Sequence, residues 1–136
     1  MKSRSFLVFV TVALLLSLSA WAREDKLVNT GITPAAQGVI DTGNDQNGNT
    51  QVDVKVEHLA KSESLTPAKQ GYLVWIQPKG KQPELLGQLA VGDDLKGELK
   101  ATTPYKDFDV LVTAEDNLRA EAPSGMVLLH GTVERQ

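Results

Sequence analysis

The stretch Gly71-Tyr72-Leu73-Val74-Trp75-Ile76-Gln77 is the most apolar and aromatic run after the N-terminal segment. Side chains alternate between the two faces of a β-strand, so Tyr72, Val74 and Ile76 share one face and Trp75 lies on the other. Because both faces are apolar, the run predicts a central strand covered on both sides, with the Trp75 indole filling space between two sheets. The residues predicted to form the structural core are Tyr72, Val74, Trp75, Ile76 and Phe108.

Six other stretches have strand character, and polar turn sequences separate them. In the clearest one, Val52, Val54 and Val56 alternate with polar residues, which indicates one buried and one solvated face. It follows Asn47-Gly48, the strongest hairpin signal of the chain, since both residues accept a positive φ. The other predicted strands cover residues 35–41, 84–90, 95–102, 108–115 and 126–133. This pattern predicts an all-β fold, an immunoglobulin-like antiparallel β-sandwich of about seven strands, with the strand near Ile40 as a candidate sheet edge.

The N-terminus has the organisation of a signal peptide. Lys2 and Arg4 precede an apolar run over residues 6–18, and Ala20-Trp21-Ala22 places small residues where signal peptidase reads them. We therefore expect cleavage between Ala22 and Arg23, and export to the periplasm or the extracellular space.

This cleavage would divide the chain into a signal peptide (1–22), a flexible lead-in (23–34) and a β-sandwich domain (35–136). The alternative is an uncleaved leader in which residues 6–22 anchor the protein in the inner membrane. That run is near the lower limit of a spanning helix, which needs about 20 apolar residues.

Charge and cysteine content exclude several classes of function. The chain has 17 Asp and Glu against 14 Lys and Arg, and loss of a leader with two basic residues makes it more acidic. An acidic chain without a basic stripe repels phosphate groups, so nucleic acid is not an expected partner. The chain contains no cysteine, which excludes disulfides, thiolate nucleophiles and cysteine zinc sites.

The turn over residues 41–49 resembles a calcium loop in part. Asp41 and Asp45 offer carboxylate oxygens, and Gly48 allows a sharp bend. An EF-hand-like loop needs an acidic residue five positions before the glycine and a glutamate six positions after it, where this chain has Gly43 and Val54. We therefore predict a hairpin turn, with weak calcium binding as the alternative.

The two histidines do not form a recognisable site. His58 and His130 are far apart in the sequence, and no third ligand stands at a diagnostic spacing. His130 alternates with Met126 and Leu128, which predicts a partly buried strand residue.

Ser124 and the acidic pairs also lack the context of a catalytic site. Ser124 lies in a Pro-Ser-Gly turn without the strand and helix of a nucleophile elbow. Glycosidase chemistry needs two carboxyl groups facing each other across a cleft, so we interpret Asp93/Asp94 and Glu115/Asp116 as solvated loop charges. The sequence thus predicts no enzymatic activity, no metal site and no cofactor.

Four pieces of the chain occur in the same order in a known family. They are Tyr72-Leu73-Val74-Trp75, Leu86-Gly87, Val112-Thr113-Ala114-Glu115 and Pro123-Ser124-Gly125-Met126-Val127-Leu128. On these pieces, residues 52–133 resemble the extracytoplasmic C-terminal domain of the anti-sigma-K factor family. The resemblance implies a β-sandwich outside the cytoplasmic membrane. Full-length members of the family hold a sigma factor through a separate cytoplasmic domain, which we do not expect here, so direct sigma inhibition is not expected either.

The combined expectation is an exported, non-enzymatic β-sandwich that acts as a binding or interaction module for an unidentified protein or envelope ligand. Two alternatives stay open. One is a membrane-anchored envelope regulator with an uncleaved leader. The other is a carbohydrate-binding sandwich in which Trp75 is an exposed platform for sugar stacking.

Overall fold

A computed structural model describes residues 22–135, which form two antiparallel β-sheets packed as a sandwich. The predicted all-β sandwich is therefore confirmed, and the seven predicted strands correspond to the last seven of nine. In chain order the strands are β1 (Arg23–Lys26), β2 (Val28–Asn29), β3 (Gln37–Asn44), β4 (Thr50–Glu57), β5 (Gly71–Pro78), β6 (Glu84–Leu89), β7 (Gly97–Thr103), β8 (Asp107–Glu115) and β9 (Val127–Glu134).

Each of the two sheets combines strands that are distant in the sequence. One sheet has the order β1-β3-β4-β7 and the other the order β2-β9-β8-β5-β6. Strands β3–β4, β5–β6 and β8–β9 are antiparallel hairpins, whereas the chain passes from one sheet to the other after β1, β2, β4, β6 and β7. Crossovers of this kind are typical of immunoglobulin-like sandwiches.

Period-two alternation builds the core between the sheets. Val52, Val54 and Val56 of β4 are buried, and they belong to the same hydrophobic cluster as Phe108 and Val110 of β8. Each such side chain contributes about 1.5 to 3 kcal/mol when it is removed from water. The polar residues between them, such as Gln51 and Lys55, point to solvent, as the sequence pattern predicts.

Residues 23–34 differ from the flexible lead-in expected for them. Strand β1 pairs with β3 from Arg23 opposite Thr42 onward, and β2 pairs with β9. Leu27 between them is buried in the core. Because β1 covers β3, the strand that contains Ile40 is not a sheet edge. The proposed leader lies outside the described residues, apart from an exposed Ala22.

Trp75 is fully buried, but it does not fill the space between the sheets. Tyr72, Val74 and Ile76 belong to the core cluster, so alternation places Trp75 on the outer side of the five-stranded sheet. There the indole Nε1 donates a hydrogen bond to Thr113 Oγ1 of β8 at 2.8 Å. The predicted position was wrong because alternation separates the two faces of β5 and does not say which one meets the other sheet.

A β-bulge in β9 reverses the expected orientation of His130. The register of β8 and β9 shifts between Val112 and Thr113, and the extra residue leaves both Leu128 and Leu129 buried. His130 is consequently exposed on the outer side of the sheet, opposite Val28. The prediction of a partly buried histidine was wrong because it extended simple alternation through the bulge.

Candidate functional site

The longest connections after β3 lie together at one end of the sandwich. Antiparallel order sends β4, β6 and β8 toward this end, so the segments that follow them emerge side by side. These segments are residues 58–70, 90–96 and 116–126, and we call them the loop end. At the opposite end the chain makes only tight turns between strands. Loops on a rigid sandwich are common positions for binding residues, so the loop end is the candidate functional site.

The first loop, residues 58–70, is anchored by one buried side chain and by its own backbone. Leu59 is fully buried in the core. Beyond it, residues Ser62–Ser64 form a short 3₁₀ helix, in which the Ser64 hydroxyl donates to the Lys61 carbonyl at 2.7 Å. The Lys69 amide then donates to the Ser62 carbonyl at 2.9 Å, which closes the loop on itself. These bonds give a polar segment a defined shape.

Two contacts connect the first loop to residues 90–96. The Leu59 amide donates to the Leu95 carbonyl at 3.1 Å, and the Lys61 ammonium forms an ion pair with Asp93. The hydrogen bond between the two side chains raises the pKa of Lys61 and lowers the pKa of Asp93. Because Asp93 is almost fully exposed, this pair positions the loops more than it stabilises the fold.

Two non-glycine residues at this junction adopt left-handed backbone conformations. His58 has a φ of 55° and Leu95 a φ of 61°. A bulky residue in this region costs about 1 to 3 kcal/mol and persists where the surroundings impose it. His58 directly precedes the donor of the Leu59 to Leu95 hydrogen bond and Leu95 is its acceptor, so the two loops hold each other in place. Sequence inspection did not identify either residue, because such strain depends on contacts between distant segments.

The third loop, residues 116–126, is tied to the first by charge and by main-chain bonding. Lys69 Nζ lies 3.1 Å from Asp116 Oδ2, and the Gln70 amide donates to the Glu115 carbonyl at 3.0 Å. The Glu115 side chain is buried, and its Oε2 accepts a hydrogen bond from the Ser124 amide at 3.1 Å. Glu115 is therefore a structural anchor of this loop, whereas the sequence suggested a solvated charge.

A cleft of about 230 Å³ opens between the first two loops. Residues 61–63 and 88–91 line it, together with Gln70, Gly71 and Tyr72. The Tyr72 hydroxyl donates to the Ala60 carbonyl, and burial, together with the charge of Glu63, raises the pKa of Tyr72 to about 12. This hydroxyl stays protonated at neutral pH and cannot act as a base there. The cleft is smaller than most sites for whole small molecules, which occupy about 300 to 1,000 Å³.

The other predicted candidates do not meet in one place. His58 and Ser124 are exposed at the loop end, whereas His130 is exposed on the sheet surface. Asp93 and Asp94 are exposed in the second loop. Among residues 22–135, no three His, Asp or Glu side chains lie close enough together to hold a metal ion.

The turn predicted at Asn47-Gly48 is a hairpin turn between β3 and β4. Asp45 Oδ1 accepts hydrogen bonds from the amides of Asn47 and Asn49, both at 2.8 Å. Slight desolvation acts to raise the pKa of Asp45, but these hydrogen bonds outweigh it and lower the pKa. The Asp45 carboxylate thus caps the turn, and Asp41 instead pairs with Lys55 on the sheet surface at 3.1 Å.

Comparison with known proteins assigns no family. Neither a scan against protein-family models nor a search of curated protein sequences finds a match. The part of the chain that the structure describes, residues 22–135, contains no helix with the length and apolar composition of a membrane span.

Proposed function

We propose that this protein is an exported, non-enzymatic binding module that recognises a macromolecular partner through its loop end. The observation that carries the proposal is the joining of three loops into one surface by the pairs Lys61–Asp93 and Lys69–Asp116. A surface that is ordered before binding loses less conformational freedom when a partner docks. The resemblance of residues 52–133 to an extracytoplasmic sandwich domain agrees with this class of function.

The size and lining of the cleft favour a protein partner. A space of about 230 Å³ accommodates one side chain of a partner better than a whole cofactor. Lys61 and Glu63 supply one charge of each sign, and Gln70 and Gln88 supply amides that both donate and accept hydrogen bonds. Such a lining suits a polar side chain presented by another protein.

A carbohydrate platform at Trp75 is disfavoured by the same structure. The Trp75 side chain is fully buried, and its indole N–H is bonded to Thr113. Sugar stacking requires an exposed aromatic face, so Trp75 would have to leave its site before it could bind a glycan.

The test compares variants at the two ends of the sandwich. Glu63 and Arg119 are exposed at the loop end, and Gln46 and Gln82 are exposed at the opposite end. We expect the protein to capture one or more specific proteins from an envelope extract. Capture should be lost with Glu63→Lys plus Arg119→Glu and kept with Gln46→Ala plus Gln82→Ala, at unchanged melting temperatures.

Two results would refute the proposal. One is equal capture by both double variants, since binding would then not involve the loop end. The other is turnover of a substrate by the purified wild-type protein, since the protein would then be an enzyme.

A further inference from the structure

The four sheet edges of the described chain differ in how well they are protected against pairing with another strand. Natural edge strands avoid such pairing when they are very short, carry charged side chains or contain a β-bulge. Strand β2 has two residues, β1 consists of Arg23-Glu24-Asp25-Lys26, and β7 carries Glu98 and Lys100. Three of the four edges are thus protected.

Strand β6 is the least protected edge, since it is neither very short nor charged along its length and has only a β-bulge. Its sequence is Glu84-Leu85-Leu86-Gly87-Gln88-Leu89, with no charge after the first residue. Leu85 is 43% exposed and stands opposite Trp75, on the outer side of the sheet. An uncharged edge with an exposed leucine is a surface that favours the addition of a further strand.

The pattern of side-chain orientation along β6 is symmetric about its centre. The register of β5 and β6 shifts between Val74 and Trp75, which leaves Leu86 as an extra residue. Leu85 and Gln88, opposite Trp75 and Leu73, therefore both face outward. Leu86 and Leu89 both pack on the core. A second copy of β6 running antiparallel, with Leu85 opposite Gln88 of that copy, would place like faces together.

Antiparallel pairing of two copies of β6 also brings opposite charges together at the two ends of the strand. Lys79 and Lys81 lie in the turn before the strand, and Asp94 lies in the loop after it, all exposed, whereas Asp93 already pairs with Lys61. A two-fold axis through the strand centre brings the basic turn of each copy to the acidic loop of the other, which gives two equivalent contacts. Isologous interfaces of this kind are the usual basis of homodimers.

We propose that the protein forms a two-fold symmetric homodimer through antiparallel pairing of β6 with β6 of a second copy. The two five-stranded sheets then form one continuous ten-stranded sheet. Because the paired strands run in opposite directions, the two loop ends face opposite ways, and residues 58–70 and 116–126 take no part in the paired strands. The interface borders the cleft of the loop end, because Gln88 lies on β6 and also lines that cleft.

Sedimentation analysis over a range of protein concentrations tests the dimer directly. We expect concentration-dependent dimerisation of the wild-type protein. Leu85→Lys places a charge on the edge and should weaken the dimer by about tenfold or more. The matched control is Thr102→Lys, because Thr102 is exposed on the edge strand β7. Leu99 of the same strand packs on the core, so a lysine at that position would also disturb packing.

Charge reversal tests the predicted geometry. Lys79→Glu and Asp94→Lys should each weaken self-association, because each places two like-charged pairs across the interface. An equimolar mixture of the two variants should recover dimers, since both contacts of the mixed dimer then join opposite charges. A wild-type protein that stays monomeric at millimolar concentration would overturn the proposal. So would a dimer that is insensitive to Leu85→Lys, or a mixture of the variants that does not recover association.

Discussion

The indole nitrogen of Trp75 lies 2.8 Å from the hydroxyl oxygen of Thr113 on the neighbouring strand, and both side chains are fully buried. Trp75 is the largest buried side chain of the described chain, and the hydroxyl satisfies its one polar atom. This pair lies on the outer side of the five-stranded sheet. The fold therefore depends on a polar contact that is separate from the core between the sheets.

Removal of this contact should destabilise the protein measurably. Thr113→Val keeps the shape of the side chain but leaves the buried indole N–H unpaired, which costs about 1 to 3 kcal/mol in the free energy of unfolding. Trp75→Ala should cost about 3 to 5 kcal/mol, a large part of the about 5 to 15 kcal/mol available to such a domain. Urea unfolding followed by circular dichroism measures both changes.

A double-mutant cycle separates the hydrogen bond from packing. In a Trp75→Phe background there is no indole N–H to satisfy, so Thr113→Val should cost clearly less than in the wild-type protein. Gln46→Ala in the exposed turn between β3 and β4 is the control and should change stability by less than about 0.5 kcal/mol. Equal costs of Thr113→Val in both backgrounds would show that the hydrogen bond does not contribute.

Ionisation of Asp53 should destabilise the fold at neutral pH, and this destabilisation should disappear in acid. It stands directly opposite Asp41 in the β3–β4 ladder, and its Oδ1 is buried without a hydrogen-bond partner. Burial raises the pKa of Asp53 above its usual 3.8, and Glu98 adds to the effect, while Lys55 opposes it. The ionised form is therefore disfavoured by folding, and its cost applies above the folded-state pKa and vanishes below 3.8.

Asp53→Asn removes this cost, so it should raise the melting temperature at pH 7. The gain should shrink as the pH falls through the raised pKa and should be absent at pH 3. Glu57→Gln, at an exposed position of the same strand, is the control for loss of one negative charge. A gain that is independent of pH would show that ionisation of Asp53 is not its cause.

Asp45 should act as a turn cap and not as a calcium ligand. Its Oδ1 already accepts two amide hydrogen bonds, and the Lys106 ammonium donates to the Gly48 carbonyl of the same turn at 2.7 Å. Asp45→Ala should therefore lower the melting temperature at pH 7, whereas Gln46→Ala should not. Because the pKa of Asp45 is lowered, its contribution is present above 3.8 and is lost as the pH falls through the folded value.

Addition of millimolar calcium should leave the melting temperature of the wild-type protein unchanged. A rise of several degrees that disappears with Asp45→Ala would contradict the assignment as a turn cap and would support the calcium alternative.

The first residue of the native protein should be Arg23. The guanidinium of Arg23 donates to the Glu134 carbonyl, and Arg23 is the first paired residue of β1, so a chain that begins there keeps the whole sandwich. N-terminal sequencing of protein purified from its native source measures this. An intact Met1 in the membrane fraction would instead support the anchored alternative.

Local patterns in the sequence determined the seven strands β3 to β9 and the turn at Asn47-Gly48, since alternation and turn chemistry act between neighbouring residues. The same patterns indicated that Val52 and Phe108 face the core. Strands β1 and β2 were missed because the first is fully charged and the second has two residues. These two strands form by pairing with β3 and β9, which are distant from them in space until the chain folds.

Only the tertiary structure decided which way Trp75 faces, why His130 is exposed, and how the loops meet. Alternation divides the side chains of a strand into two sets, but the packing of the second sheet selects the inner set. A β-bulge reverses which side chains face inward beyond it, and the bulge in β9 exists only because β8 pairs with the residues on both sides of it. The contacts of Lys61 with Asp93 and of Lys69 with Asp116 join distant segments, and the topology of the sandwich alone brings them together.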